Sequence, residues 1–182
     1  QLNFDDPRSR LFLDYVRILK EIKPKYFLLE NVRMKQEYQD VISDALGVQP
    51  IAINSRLLSA QNRQRLYWTN IPNVTQPDDK SIVLQDILED GFVDRDKAHC
   101  LDANYFKGGN LKSYFEKHRR QLVFSDVSEL QWRKLTPLEC ERLQTVPDNY
   151  TKHVSNTQRY KMLGNGFTVD VIAHILKGVT PC

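Results

Sequence analysis

The apolar positions of the chain change period along its length, and the changes mark its elements. Asp6-Pro7 has the form of a helix start, with Asp as the cap and Pro at the first helical position. Leu11, Phe12, Tyr15, Val16, Leu19 and Ile22 follow at helical spacing, and Pro24 predicts a stop. Tyr26-Phe27-Leu28-Leu29 is short and wholly apolar, the pattern of a strand buried on both faces of a parallel sheet. Glu30-Asn31-Val32 then falls at that strand's C-terminal end. A helix is predicted over 36–46, capped by Gly47, followed by extended stretches over 51–58 and 66–68. Helix, strand, helix, strand, strand is the order of the second half of a doubly wound α/β sheet.

After Asn70 the pattern breaks. Pro72, Pro77, Gly91, Gly108 and Gly109 punctuate short apolar runs, which predicts a small, loop-rich module over 71–131. Regularity returns at Thr136-Pro137-Leu138-Glu139, where Thr caps, Pro takes the first position and Glu completes a capping box. A closing helix is predicted over 168–177, with Val169, Ile172, Ile175 and Leu176 as its buried stripe and Gly178 as its stop. The predicted organisation is therefore 1–70 as one half of an α/β domain, 71–131 as an inserted module, and 132–182 as the segment returning to the domain.

Composition alters this picture little. The 182 residues are 41% hydrophobic and 27% charged, ordinary globular values, with no apolar run long enough to span a membrane. Three widely spaced cysteines, Cys100, Cys140 and Cys182, suggest neither a disulfide framework nor a metal site. The net charge of +3 is a weak argument for nucleic acid, but its distribution says more. Residues 1–70 carry +3, 71–131 carry −3 and 132–182 carry +3. Within the acidic middle, Tyr105–Arg120 holds five Lys/Arg against one acid, interleaved with Tyr105, Phe106, Tyr114 and Phe115. The first residue is Gln1, and the polar lead-in runs straight into a helical pattern, as though the chain began in mid-domain.

Three segments carry candidate chemistry. A glutamate at the C-terminal end of a buried parallel strand stands where open α/β sheets bind ligands. Burial disfavours a charged carboxyl, so Glu30 could hold a proton and donate it to ring nitrogen 3 of a cytosine, making carbon 6 more electrophilic. The plain alternative is a helix cap. In Gln61-Asn62-Arg63-Gln64-Arg65, alternate residues of an extended segment point one way, placing an amide and two guanidiniums on one face. Guanidiniums bind phosphate and carbonyl oxygens through paired donors, although a solvated edge strand would look alike. Gly164-Asn165-Gly166 precedes the last helix and permits either a close backbone approach to a ligand or a simple turn.

Taken in order, these segments resemble the DNA (cytosine-5)-methyltransferase family. Glu30-Asn31-Val32 is similar to its ENV motif, and Gln61-x-Arg63-x-Arg65 to its QxRxR motif. Arg133 to Gln144 resembles RxLTxxExxRLQ, the most specific match, and Gly164-Asn165-Gly166-x-x-Val169 resembles its last motif. The resemblance implies a Rossmann-like methyltransferase fold, with S-adenosylmethionine as methyl donor and double-stranded DNA as substrate. It implies that Glu30, with Asn31, holds a flipped cytosine and that Arg65 contacts its carbonyl oxygen. Arg63 and Gln61 would buttress the site, Gln61 on the DNA side, and Asn165 and Gly166 would lie at the cofactor. Residues 71–131 would be the target-recognition region, with Lys107, Gly108, Gly109, Asn110 and Lys112 in its DNA-contacting loop.

Two family features do not occur: the glycine-rich cofactor motif and the Pro-Cys nucleophile with its loop. Pro181-Cys182 has no loop after it, Cys140 falls in a helix-packing position, and Cys100 lacks a paired base. The expectation is a chain inactive by itself, completed by further residues or by a second polypeptide. The alternative is a catalytically dead DNA-binding or regulatory module on the same fold. No metal and no membrane are expected. The place of action follows the DNA: cytoplasm in a bacterium or phage host, nucleus otherwise.

Overall fold

A computed structural model describes residues 7–126 and 131–179. The expected cap Asp6 and the terminal Pro181-Cys182 lie outside them. The chain forms two compact units. The first comprises residues 1–53, 64–75 and 175–182, and the second comprises 54–63 and 76–174. These boundaries depart from the threefold division above, because 132–174 groups with 76–131.

In the first unit, α1 (Pro7–Ile22) ends before Pro24 and α2 (Gln36–Leu46) ends on Gly47, whose φ of 70° is the left-handed cap that glycine adopts without strain. The sheet orders β1 (Leu28–Val32) beside β3 (Gln64–Thr69), with β2 (Ile51–Asn54) on the far side of β3. Two expectations are corrected here. β1 runs to Val32, so Glu30 and Asn31 are strand residues, and the pairing with β3 is antiparallel. An apolar run four residues long cannot report strand direction, and β1 proves half-buried throughout Leu28–Asn31.

Alternation along the pair divides its faces. Leu29, Leu66 and Trp68 pack on Ile42 and Leu46 of α2 and on Phe12 of α1. The indole Nε1–H of Trp68 donates to Ser43 Oγ at 3.0 Å, which satisfies the buried ring's polar group. Glu30, Val32, Arg65 and Tyr67 therefore share the opposite face.

The predicted extended run 51–58 stops at Asn54. Its side chain accepts from the amides of Arg56 (3.1 Å) and Arg63 (3.0 Å), turning Ser55–Leu57 into a 3-10 turn.

The second unit contains α3 (Leu111–Lys117), the antiparallel pair β4 (Leu122–Asp126) and β5 (Gln131–Lys134), then α4 (Pro137–Leu143), α5 (Asn156–Asn165) and most of α6 (Val169–Leu176). Its core gathers Leu84, Leu101, Tyr105, Leu135, Cys140, Leu143, Tyr160 and Leu163. The capping box of α4 forms as predicted: Thr136 Oγ1 accepts from the Glu139 amide at 3.1 Å, and Glu139 accepts from the Thr136 amide at 2.8 Å. Glu139 is buried and also binds Arg133, which reaches Asp90. Among the described residues no helix is long and apolar enough to cross a membrane.

Candidate active site

Glu30 and Arg65 meet on one face of the first unit's sheet. Register places Arg65 opposite Val32 and Glu30 opposite Tyr67, so the two charged residues are diagonal neighbours on that face. Arg65 Nε lies 2.8 Å from Glu30 Oε1, and Arg65 Nη1 donates to the Gln64 carbonyl at 2.9 Å. The expectation of a carboxyl on a strand buried on both faces is corrected: the Glu30 side chain is 21% exposed and paired with a guanidinium that is 15% exposed. Such a pair can be reached by a ligand, which a sealed carboxyl could not. Asn31 lies on the other face, its side-chain oxygen accepting from the Val32 amide at 2.8 Å.

Gln61 and Arg63 have different partners from Arg65, so the expected single face of three polar groups does not form. The reason is local: regular strand begins only at Gln64, and the residues before it belong to the second unit. Gln61 is fully buried. Its amide donates to the Leu143 carbonyl (2.7 Å) and to Gln144 Oε1 (2.9 Å), and it accepts from the Leu101 amide at 3.3 Å. Its side chain thus faces the interior. Arg63, 5% exposed, donates to the carbonyls of Leu101 and Gly166, each at 2.9 Å, and more distantly to the Gly164 carbonyl and Cys100 Sγ, each at 3.4 Å. A guanidinium is suited to this because its five donors are fixed in one plane.

A second tie runs through hydroxyl and amide groups that sequence reasoning did not single out. Ser55 Oγ donates to Thr168 Oγ1 (2.8 Å), which donates to Gln144 Oε1 (3.0 Å), the oxygen that Gln61 also binds. Three of the four motifs thus bind one another through buried polar groups. The signal available was only that Gln144 ends the third motif.

Gly164 serves this packing. A Cβ there would stand 2.3 Å from the Asp102 carbonyl group and 2.4 Å from the Ala103 amide. Asn165 is exposed at the end of α5, and Gly166 follows with its amide bonded to the Met162 carbonyl at 2.8 Å. An exposed amide is a suitable partner for a carboxylate, so Asn165 fits one end of an amino-acid-bearing cofactor.

The expected DNA-contacting loop is divided between surface and core. Lys107, Asn110 and Lys112 are exposed, and Gly108 has φ +72° with open space around it. Gly109 faces inward, where a Cβ would meet Leu122 at 2.9 Å, and the Asn110 side chain caps α3 by accepting from the Ser113 amide. Of the aromatic residues in the basic stretch, Tyr105 and Tyr114 belong to the core, buried to 1% and 0% exposure, with their phenols bonded by Gln121 and Leu135 for Tyr105 and by Gln121 and the surface Asp94 for Tyr114. Among the described residues no group of three or more His, Cys, Asp or Glu is placed to hold a metal.

The chain has known relatives. The chain matches the family model of the C-5 cytosine-specific DNA methylases over residues 1–96 and 90–180, and it belongs to that family. It is 32% identical to the type II methyltransferase M2.ScrFI of Lactococcus lactis subsp. cremoris, over 93% of this chain and 58% of that protein. It is 28% identical to M.SsoII of Shigella sonnei, over 97% of this chain and 58% of that protein. With M.HhaI of Haemophilus parahaemolyticus it shares 25%, over 96% and 69%. The chain thus spans less than two thirds of the length of M2.ScrFI and M.SsoII. Among solved structures, the Entamoeba histolytica methyltransferase EhMeth matches with a TM-score of 0.72 at 18% identity, over 96% of this chain and 69% of that one. The S. pombe Dnmt2 methyltransferase matches at 0.65 and 19%, over 96% and 72%. Both support the Rossmann-like methyltransferase fold.

Proposed function

We propose that this chain is the base-recognition part of a DNA (cytosine-5)-methyltransferase. The observation that carries the reading is the Glu30–Arg65 pair on one exposed-edged face. The Watson–Crick edge of cytosine presents, in order, a carbonyl oxygen, the acceptor nitrogen 3 and an amino group. Arg65 can only donate and suits the carbonyl oxygen. Glu30 accepts from the amino group and, when it carries a proton, donates to nitrogen 3. The pair is complementary to that edge, and a base inside a duplex must leave the stack to offer it.

Withdrawing electron density through nitrogen 3 makes carbon 6 open to attack by a thiolate, and carbon 5 becomes the nucleophile. S-adenosylmethionine supplies the methyl group that carbon 5 takes up. Loss of the carbon-5 proton then expels the thiolate and restores the ring. The cysteine is supplied from outside these 182 residues, in the same polypeptide or a second one, and without it the chain is inactive. Asn165 holds the carboxylate end of the methyl donor. Gln61 and Arg63 tie their own segment to Gln144 and to the last motif within the second unit, acting as positioning residues. The exposed Lys107 and Lys112, with the half-buried Gly108 between them, meet DNA phosphates, Asn31 and Gly166 hold the backbone around the two binding ends, and Gly109 and Asn110 set the loop's shape. The bacterial type II relatives support action in a bacterial cytoplasm.

The test is transfer of labelled methyl from S-adenosylmethionine to a cytosine-containing duplex by the enzyme with its nucleophile-bearing segment. Label on carbon 5 of cytosine is expected. Label confined to RNA or protein, or none at all, would overturn the reading. Activity from the 182 residues alone would overturn the assignment of the cysteine.

A further inference from the structure

Three lysines from three separate elements of the second unit lie around Phe106, two over its ring and one on its backbone carbonyl. Lys107 ends the 3-10 turn Tyr105–Lys107, Lys134 ends β5, and Lys161 lies in α5. Lys107 Nζ stands over the Phe106 ring at 5.8 Å from its centre, and Lys161 Nζ over the same ring at 5.3 Å. Lys134 Nζ donates to the Phe106 carbonyl at 3.2 Å and lies over the Tyr160 ring at 4.6 Å. Phe106 is itself packed on the unit's core, so the platform is fixed.

The charges around this platform are unbalanced. The ion pairs of the second unit engage Lys80, Arg95, Arg119, Arg133, Arg142 and Arg159. Among the described residues, Lys107, Lys134 and Lys161 enter none of them. Several other basic groups of the unit are neutralised, as where Arg133 meets Asp90 and Glu139. Like charges gathered without a carboxylate repel one another unless an anion joins them. The ring's negative face partly offsets that repulsion and holds the ammonium groups in place, which lowers the ordering cost when an anion binds.

We infer that Lys107, Lys134 and Lys161, seated on Phe106 and Tyr160, form a backbone-phosphate site for duplex DNA. The inference deepens the reading above and rests on it. Phosphodiester oxygens accept from ammonium groups without regard to sequence, so the site anchors the duplex and leaves base choice to other contacts. Lys107 also belongs to the exposed loop 107–112, which places the anchor next to that loop. Lys134 is bound to a backbone carbonyl and sets the platform, while Lys107 and Lys161 are exposed and supply the phosphate contacts.

The experiment measures binding of a fluorescent duplex to the chain by anisotropy across a range of salt. Lys107→Ala/Lys161→Ala is expected to weaken binding about tenfold and to lower the slope of log K against log salt by about 1 to 2. Lys107→Arg/Lys161→Arg restores both. Lys152→Ala/Lys177→Ala removes the same charge at exposed positions elsewhere and leaves the slope near that of the wild type. If both alanine pairs behave alike, net charge explains the effect and the site is overturned while the DNA reading stands. If the wild type does not bind duplex at all, the DNA reading fails and the site with it. Loss of single-stranded RNA binding with duplex binding unchanged would overturn the assignment to DNA.

Discussion

Glu30 and Arg65 stand diagonally across an antiparallel strand pair, 2.8 Å apart from oxygen to nitrogen, thirty-five positions apart in sequence. Neither residue is directly opposite the other. Both contact because β1 and β3 pair in a register that sets Val32 against Arg65, leaving Glu30 two residues back on the same face. A one-residue slip would send one of the charges to the face that holds Trp68 and Ile42.

Arg63 is a buried tie, and its removal takes the shortest donors from two carbonyls. Arg63→Met should lower stability by about 2–4 kcal/mol, because the Leu101 and Gly166 carbonyls lose charged donors at 2.9 Å. Urea unfolding measures it. A change below about 0.5 kcal/mol would show that these bonds do not hold the segment.

Much of the fold was legible in the sequence where local chemistry decides it. Pro24 and Gly47 end their helices as read, and Thr136 with Glu139 forms the box the spacing announces. What was not legible depends on register and on long-range pairing. The apolar run before Glu30 could not disclose an antiparallel partner forty residues away. The alternation of Gln61, Arg63 and Arg65 failed because Asn54 draws the preceding chain into a turn, splitting the segment between two units. The aromatic content of the basic stretch also misled: a phenol in the core and a phenol on a surface leave the same mark in a sequence.

Gly164 is required by contact and not by backbone angle. Gly164→Ala should destabilise the second unit by about 3 kcal/mol, since the added carbon would lie 2.3 Å from the Asp102 backbone. Gly166→Ala meets the Met162 carbonyl at 3.1 Å and the Leu163 carbonyl at 3.8 Å, and should cost clearly less. Thermal melting of the two variants ranks them, and equal losses would contradict the packing described.

Acid should loosen the second unit. Burial, reinforced by Arg95 and His118, pushes the His99 pKa down from 6.5 to about 4. The folded state thus resists a proton that the unfolded chain accepts, so stability is full above pH 6.5 and falls as pH drops toward 4. Asp94, lowered by its bond from Arg95, acts in the same direction at more acid pH. His99→Gln should flatten the fall between pH 6.5 and 4, by about 1–3 kcal/mol at the acid end. An unchanged pH profile would remove His99 from the account.

The pairing of Glu30 with Arg65 is tested most directly by single-turnover methyl transfer to duplex cytosine in the whole enzyme carrying Glu30→Gln. A neutral amide cannot supply a proton to nitrogen 3, so the rate should fall by about 100-fold or more, with duplex affinity within about twofold of the wild type. A rate equal to that of the wild type would mean that this carboxyl does not grip the base, and the recognition site would have to be sought elsewhere in the chain.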